Sequence, residues 1–323
     1  MYDLKSFDLH ADIGYDIMQK KNKGYKENIL KTYHLPKFEQ GEIAYICMAS
    51  FFDGHEDWTD MQDMIQSTKK AIQECEDVCL LLQAEDFFVP AKVHAIMSVE
   101  GMCGIKEHPR EKIRWMYEQG VRLASFCWND ENALATGVKG DTQRGLTAMG
   151  KEALDEMVKL NMVIDVSHAN EKTFWDILSH PKANIIASHS NVRELCDHPR
   201  NLKNEQIEAL LKRGTLIGMN TAPQFVHSNK EKQDVAHLVQ HMVWLKEFHH
   251  NKVDSIAFGF DYMDFYEEQY DYLKGAKDCT QTGNILQEMR KYFSEEEIAA
   301  IAYRNACDYF IPGVMQFPAH SPR

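Results

Sequence analysis

The sequence predicts an α/β chain folded as a single (β/α)8 barrel. Three observations carry that expectation. Eight short apolar runs alternate with longer stretches whose apolar residues recur at helical spacing. The first run leads into "HADIGYD", which is neither a G-x-G-x-x-G fingerprint nor a P-loop, so nothing points to an open nucleotide-binding sheet. No repeat, low-complexity tract or Pro/Gly/Ser linker divides the 323 residues. One domain over residues 1–323 is expected, closing in a proline-punctuated tail at 311–323.

The elements follow in order. Ser6–Ala11 reads as the first strand, and the lysine-rich, weakly periodic stretch from Ile13 to Gly41 as an excursion after it. Ile43–Phe52 is the second strand, and "DWTDMQDMIQSTKKAIQECEDVCLLLQ", Asp57–Gln83, a long amphipathic helix. Ala91–Glu100 is the third strand, followed by a helix from His108 that ends on Gly120. Val121–Trp128 is the fourth, and the next helix has Thr147 as N-cap and Asn161 at its C-cap. Asn161–His168, Asn184–Ser190, Thr215–Asn220 and Ser255–Asp261 complete the eight. Helices are expected over 170–181, 204–214, 230–250, 283–293 and 294–310.

Composition narrows the function. A net charge of −13 argues against a nucleic-acid partner, which needs a basic face. No run approaches the roughly 20 apolar residues of a membrane span. "MYDLKSFDLH" enters a strand almost at once, so no secretory signal is expected. The eight cysteines are scattered without a C-x-x-C, which suits a reducing cytoplasm.

The chemistry lies at the strand ends. In such a barrel the C-terminal ends of the strands line the active site. Reading them gives His10 and Asp12, two apart and hence on one side of the first strand, then Glu100, His168, His189 and Asp261. Each alone fits a hydrogen-bonded strand end, but six ionisable groups on one rim are hard to explain as packing. Imidazole and carboxylate suit Zn²⁺ and similar ions. Six donors exceed the three protein ligands of a mononuclear catalytic zinc site, so two ions sharing a carboxylate are expected, with hydrolysis as the chemistry. The other histidines carry less. His237 and His241 share a helix face but lack the glutamate of H-E-x-x-H, and His249 and His250 close that helix. His94 is expected to pack, and His34, His55, His108, His180, His227 and His320 to lie at the surface.

Over nearly its whole length the chain resembles the renal (membrane) dipeptidase family of zinc-dependent peptidases. The resemblance runs through "DLHAD", "SVEG", "GVRLASFCWNDENALATG", "GLTAMGKEALDEM", "VIDVSHAN", "ASHSNVRELCDHPRNL" and "FGFDYMD". It implies two zinc ions. One is held by His10, Asp12 and Asp261, the other by His168 and His189, with Glu100 bridging. It also implies Asp261 as the group that relays the proton and Arg200 as the cation for the substrate carboxylate, a role its guanidinium fork suits. A small dipeptide is the implied substrate, with a D-residue tolerated at its C-terminal end, and a homodimer the implied assembly.

Two departures stand out. The animal enzymes have a substrate-contacting histidine where this chain has Trp128, which cannot exchange a proton; Asn129 and Asp130 are the nearby candidates for its role. The family's compact G-D-F-D-G is here "FGFDYMDF", and Asp261 rather than Asp264 is matched to the ligand because it follows the apolar run directly. No leader and no lipid-anchor tail are expected, which would set the chain apart from membrane-bound relatives. A metal amidohydrolase acting on N-acyl amino acids or cyclic amides is the competing enzyme reading, and a non-catalytic barrel the competing reading of another class. "NTAPQFVHSNK" and "YMDFYEEQYDYLKGAKD" are expected to shape one wall of the pocket, and "IGYD" to begin a loop over the site, with Asp16 not a ligand.

Overall fold

A computed structural model describes residues 5–266 and 270–313. The chain divides into two compact units, Met1–Asp12 with Lys31–Ile46 and Ala187–Tyr309, and Ile13–Leu30 with Cys47–Ile186 and Phe310–Arg323. Both interleave along the sequence, so no single linker separates them.

In the first unit, β1 (Ser6–Ala11) pairs in parallel with the strand Ile256–Phe258 through Asp8 and Phe258. That strand pairs in turn with Ile217–Met219. Every residue of β1 is buried, as in a parallel sheet covered on both faces. The strand β2 (Ile43–Phe51) begins in this unit and continues into the second. There it is followed by β3 (Val78–Leu80), β4 (Val93–Glu100), β5 (Val121–Ser125), β6 (Val163–Asp165) and β7 (Asn184–Ile186). β4 to β7 pair in parallel in sequence order. With β8 (Ile217–Met219) and β9 (Ile256–Phe258), the strand order is β7-β6-β5-β4-β2-β1-β9-β8, and β3 pairs only with β4. Ala187, next after β7, bridges in parallel to Ile217 of β8. Eight parallel strands in consecutive order with intervening helices make a nearly closed (β/α)8 barrel.

The eight expected strands are present, and the helix caps explain most boundaries. The Asp57 side chain accepts from the amides of Thr59 and Asp60 at 2.7 and 3.1 Å, which starts the helix Trp58–Gln73. Thr147 accepts from Gly150 at 3.0 Å at the start of Ala148–Lys159. Gly120 closes Pro109–Gln119 at φ 109°, and Asn161 takes φ 58° just past the helix that Thr147 opens.

Four expectations are corrected. The long helix stops at Gln73, because Val78–Leu80 pairs with Val93–Ala95 as the extra strand β3. The excursion is largely helical, with Ile13–Asn22 and Leu35–Gln40 burying Ile13, Ile17, Leu35 and Phe38; "IGYD" therefore opens a helix, and Asp16 is buried and ion-paired with Lys20. The tail does not begin at 311, since Ile311 and Pro312 belong to the helix Asn305–Gly313; residues 314–323, with His320, lie outside the described residues. His34 is not at the surface but 4% exposed, against Phe38 and Phe265.

His94 packs as expected and meets the Val89 carbonyl at 2.9 Å. His241 is a core cap: its Nδ1 accepts from the Val192 amide at 3.1 Å, and its Nε2 donates to the Val226 carbonyl at 2.9 Å. Burial pushes this imidazole down from 6.5 to about 4, against the opposing pull of the Val226 carbonyl. The unfolded chain therefore takes up this proton near pH 6.5, while the native state refuses it until about pH 4. Stability from this group is complete above pH 6.5 and falls by on the order of 3 kcal/mol as the pH drops towards 4. Urea unfolding at a series of pH values will show a difference between the parent and His241→Gln that shrinks by that amount over this window.

Candidate metal centre

The first unit gathers one donor cluster. Strand alternation turns His10 and Asp12 to the same side, and Asp261 follows β9, the neighbour of β1. His10 Nε2 lies 3.3 Å from Asp12 Oδ1 and 3.9 Å from Asp261 Oδ1. One donor atom from each of the three falls within 4.8 Å of the others, and all three residues are buried. The His189 ring lies against that of His10, with centroids 4.0 Å apart. Two buried carboxylates so close to one imidazole are costly as bare anions. Their donor set is the hard-oxygen and imidazole chemistry that a divalent first-row cation takes, so the residues fit such an ion.

Backbone and neighbours hold these groups in place. Asp261 has φ 57°, a left-handed conformation uncommon for a non-glycine residue, and its amide donates to the His10 carbonyl at 3.2 Å. A Cβ at Gly218 or Gly259 would lie 1.9 or 1.7 Å from the Ser188 carbonyl oxygen, so only glycine lets β8 and β9 approach the segment that carries His189. Asp8, on the same side of β1 as His10, accepts from the amides of Phe260 and His10 at 2.8 and 3.2 Å. Burial lifts its carboxyl to about 7 against the pull of those two donors and of His10.

Sequence reasoning also missed Asn220, at the end of the "TLIGMN" run. It is fully buried, its Nδ2 donates to Asp261 Oδ2 at 2.9 Å, and its Oδ1 accepts from the Ala222 amide at 2.6 Å. Asn191 answers it by accepting from the Asn220 amide at 2.9 Å and donating to the Asn220 carbonyl at 2.9 Å. The available signal was an asparagine closing an apolar run at a strand end, where the ligands also fall.

The second unit gathers another cluster. His168 Nε2 lies 2.8 Å from Glu100 Oε1, and both residues are buried. Asn129, expected at the substrate, meets His168, where its Oδ1 accepts from Nδ1 at 2.9 Å. That bond puts a proton on Nδ1, so Nε2, beside Glu100, is the ring nitrogen that a metal would take. His168 also has a left-handed backbone, at φ 69°. Gly101, at φ 81°, follows Glu100, and a Cβ there would meet the Phe52 carbonyl oxygen at 2.8 Å. Trp128 is half-buried, edge-on to Phe51 at 5.3 Å and tilted against His168 at 6.1 Å, with the Lys139 ammonium over its ring at 5.4 Å. It is a wall beside His168.

Arg200 belongs to the first unit and is 5% exposed, which removes the reading of a surface arginine. Its guanidinium sits over the Phe225 ring at 5.5 Å, and its Nη2 approaches the His189 carbonyl at 3.5 Å. Its amide donates to His198 Nδ1 at 3.2 Å. Asp264 pairs with Lys37, whereas Asp261 stands beside His10.

A profile of the membrane dipeptidase family, peptidase family M19, matches residues 1–308. An uncharacterized protein in the pqqA 5′ region of Klebsiella pneumoniae is 34% identical over 181 residues, which is 53% of this chain and 66% of that protein. The match thus spans just under two thirds of that relative's length. Among solved structures, the dipeptidase AC, a metallopeptidase of family M19, superposes with a TM-score of 0.83 at 19% identity, covering 97% of this chain and 100% of that one. A metallopeptidase from Rhodobacter sphaeroides, solved with a phosphinate mimic of the dipeptide L-Ala-D-Ala, also gives 0.83, at 18% identity and 96% and 99% coverage. At these identities the two structures show a shared fold.

Replacing Asn220 with leucine removes a donor from Asp261 and an acceptor from the Ala222 amide without emptying the core. Leaving those buried groups without these bonds costs roughly 2–4 kcal/mol. Equilibrium urea unfolding of Asn220→Leu will show that loss.

Proposed function

Because the chain belongs to the membrane dipeptidase family, peptidase family M19, we propose that it is a binuclear zinc dipeptidase. The observation that carries this reading is the buried cluster of His10, Asp12 and Asp261, whose donor atoms lie within 4.8 Å of one another. In this reading those three would hold one ion and His168 and His189 the other, with Glu100 as the shared carboxylate. Zinc at such a site lowers the pKa of water towards about 7 and polarises a carbonyl oxygen.

The protein's own groups then do the remaining work. Arg200 receives the free carboxylate of the substrate in its guanidinium fork, which restricts the enzyme to short peptides. Water adds to the peptide carbonyl carbon, the C–N bond breaks, and Asp261 takes the proton released and passes it to the leaving amine. Asn220, bonded to Asp261 Oδ2, keeps that carboxylate in one orientation as it does so. Trp128 cannot share this proton traffic, having no titratable group, and supplies an apolar wall. The Rhodobacter sphaeroides relative was solved with a mimic of L-Ala-D-Ala, which favours tolerance of a D-residue at the C-terminal position here too. The cytoplasm suits a chain in which all eight cysteines are thiols rather than disulfides. No described helix is long and apolar enough to cross a membrane.

The test is a panel of L,L- and L,D-dipeptides beside N-acyl amino acids, assayed after chelation and after zinc is returned. Dipeptide hydrolysis is expected to vanish and recover, and His168→Ala to abolish it. Full activity of His168→Ala with a normal zinc content would overturn the assignment, and faster turnover of the acylated amino acids would move the substrate class to other amides. Arg200→Met is expected to raise KM for dipeptides by roughly 10- to 100-fold, with kcat much less affected, given the energy of a charge-assisted carboxylate contact.

A further inference from the structure

We propose that Tyr266 is a positioning residue for Asp12, held in place by a strap formed by Asp264, Phe265 and Tyr266. The proposal rests on the metal-centre reading above and assigns a role to a segment that reading does not use. The Tyr266 hydroxyl donates to Asp12 Oδ2 at 3.0 Å. The other carboxylate oxygen, Oδ1, is the one 3.3 Å from His10 Nε2. The two oxygens are therefore divided. One is committed to a phenol and the other faces the imidazole of the same cluster. A phenol donates a single proton, so it picks out one oxygen and sets the rotation of the carboxylate.

The strap has a fixed origin and three anchors. It begins at Asp261, the other carboxylate of the cluster, and the Tyr266 amide closes a turn onto the Met263 carbonyl at 3.2 Å. The Asp264 side chain, 8% exposed, is ion-paired with Lys37 of the helix Leu35–Gln40. Phe265 stands edge-on to His34 at 5.5 Å, and His34 stacks on Phe38 of the same helix at 6.1 Å. Tyr266 stacks on Phe265 at 5.0 Å. Three consecutive side chains thus tie the segment after one carboxylate to the helix and to the other carboxylate. An ion pair and a ring contact hold the phenol ring, so its hydroxyl loses little freedom on meeting Asp12.

Tyr266→Phe deletes the hydroxyl and keeps the ring. Partners of this kind around a ligating carboxylate are worth roughly 10- to 100-fold in metal affinity. Zinc binding is measured on the full chain, after chelation, by competition with a chromophoric chelator, together with the melting temperature of the metal-free protein and the visible spectrum with Co²⁺. The expected result is weaker binding of one of two ions by about that factor, with a shifted Co²⁺ spectrum and an unchanged metal-free melting temperature. Lys37→Met, which loosens the strap without touching Asp12, is expected to weaken the same ion by a smaller factor. If the parent binds two ions and both variants bind them equally well, the proposal is overturned while the dipeptidase reading stands. If the parent takes up no zinc, the metal-centre reading fails and the role of Tyr266 falls with it.

Discussion

Buried carboxylates have to be neutralised, and the first unit is organised around that demand. Asp12 and Asp261 sit within reach of one imidazole, away from water, where bare anions are costly. Neighbouring side chains supply hydrogen-bond donors. Asn220 donates to Asp261, Tyr266 donates to Asp12, and the backbone places further amides on Asp8. His10, Asp12 and Asp261 are arranged so that a shared cation would complete the charge balance that these neutral donors leave unfinished. The same logic holds in the second unit, where the buried Glu100 carboxylate faces His168 Nε2 and Asn129 accepts from the other ring nitrogen.

Local backbone strain is part of the construction. His168 and Asp261 both adopt left-handed backbones, which persist in non-glycine residues only where surrounding structure over-determines them. Each comes shortly after a strand, past the end of β6 at Asp165 and of β9 at Phe258, where the chain leaves the sheet. Glycine serves the opposite need: Gly218 and Gly259 allow their backbones to approach that of Ser188, the residue before His189.

Much of the architecture was legible in the sequence, for a physical reason. A parallel strand covered on both faces is a near-continuous apolar run, and all eight such runs became strands. Helix limits marked by Thr147 and Gly120 were legible because caps act over a single turn. The errors lie where tertiary context overrides local spacing. Val78–Leu80 continues an apolar helical spacing, yet pairs with β4 because a sheet edge is there to receive it. His34 looks polar in its segment and is buried because Phe38 and Phe265 enclose it.

The candidate site divides in the same way. His10 and Asp12 are paired by strand periodicity alone, and each remaining ligand candidate ends an apolar run, so the sequence by itself determined which residues stand at strand ends and with what chemistry. Only the tertiary structure decided their partners. Asn129 turns onto His168, Asn220 onto Asp261, and Tyr266 returns to Asp12 across 254 positions of the chain. Arg200 is buried rather than exposed because Phe225 and the His189 carbonyl come to it from elsewhere in the sequence. A hydrogen bond or a ring contact is made at about 3–6 Å in space whatever the separation along the chain, and no local periodicity encodes it.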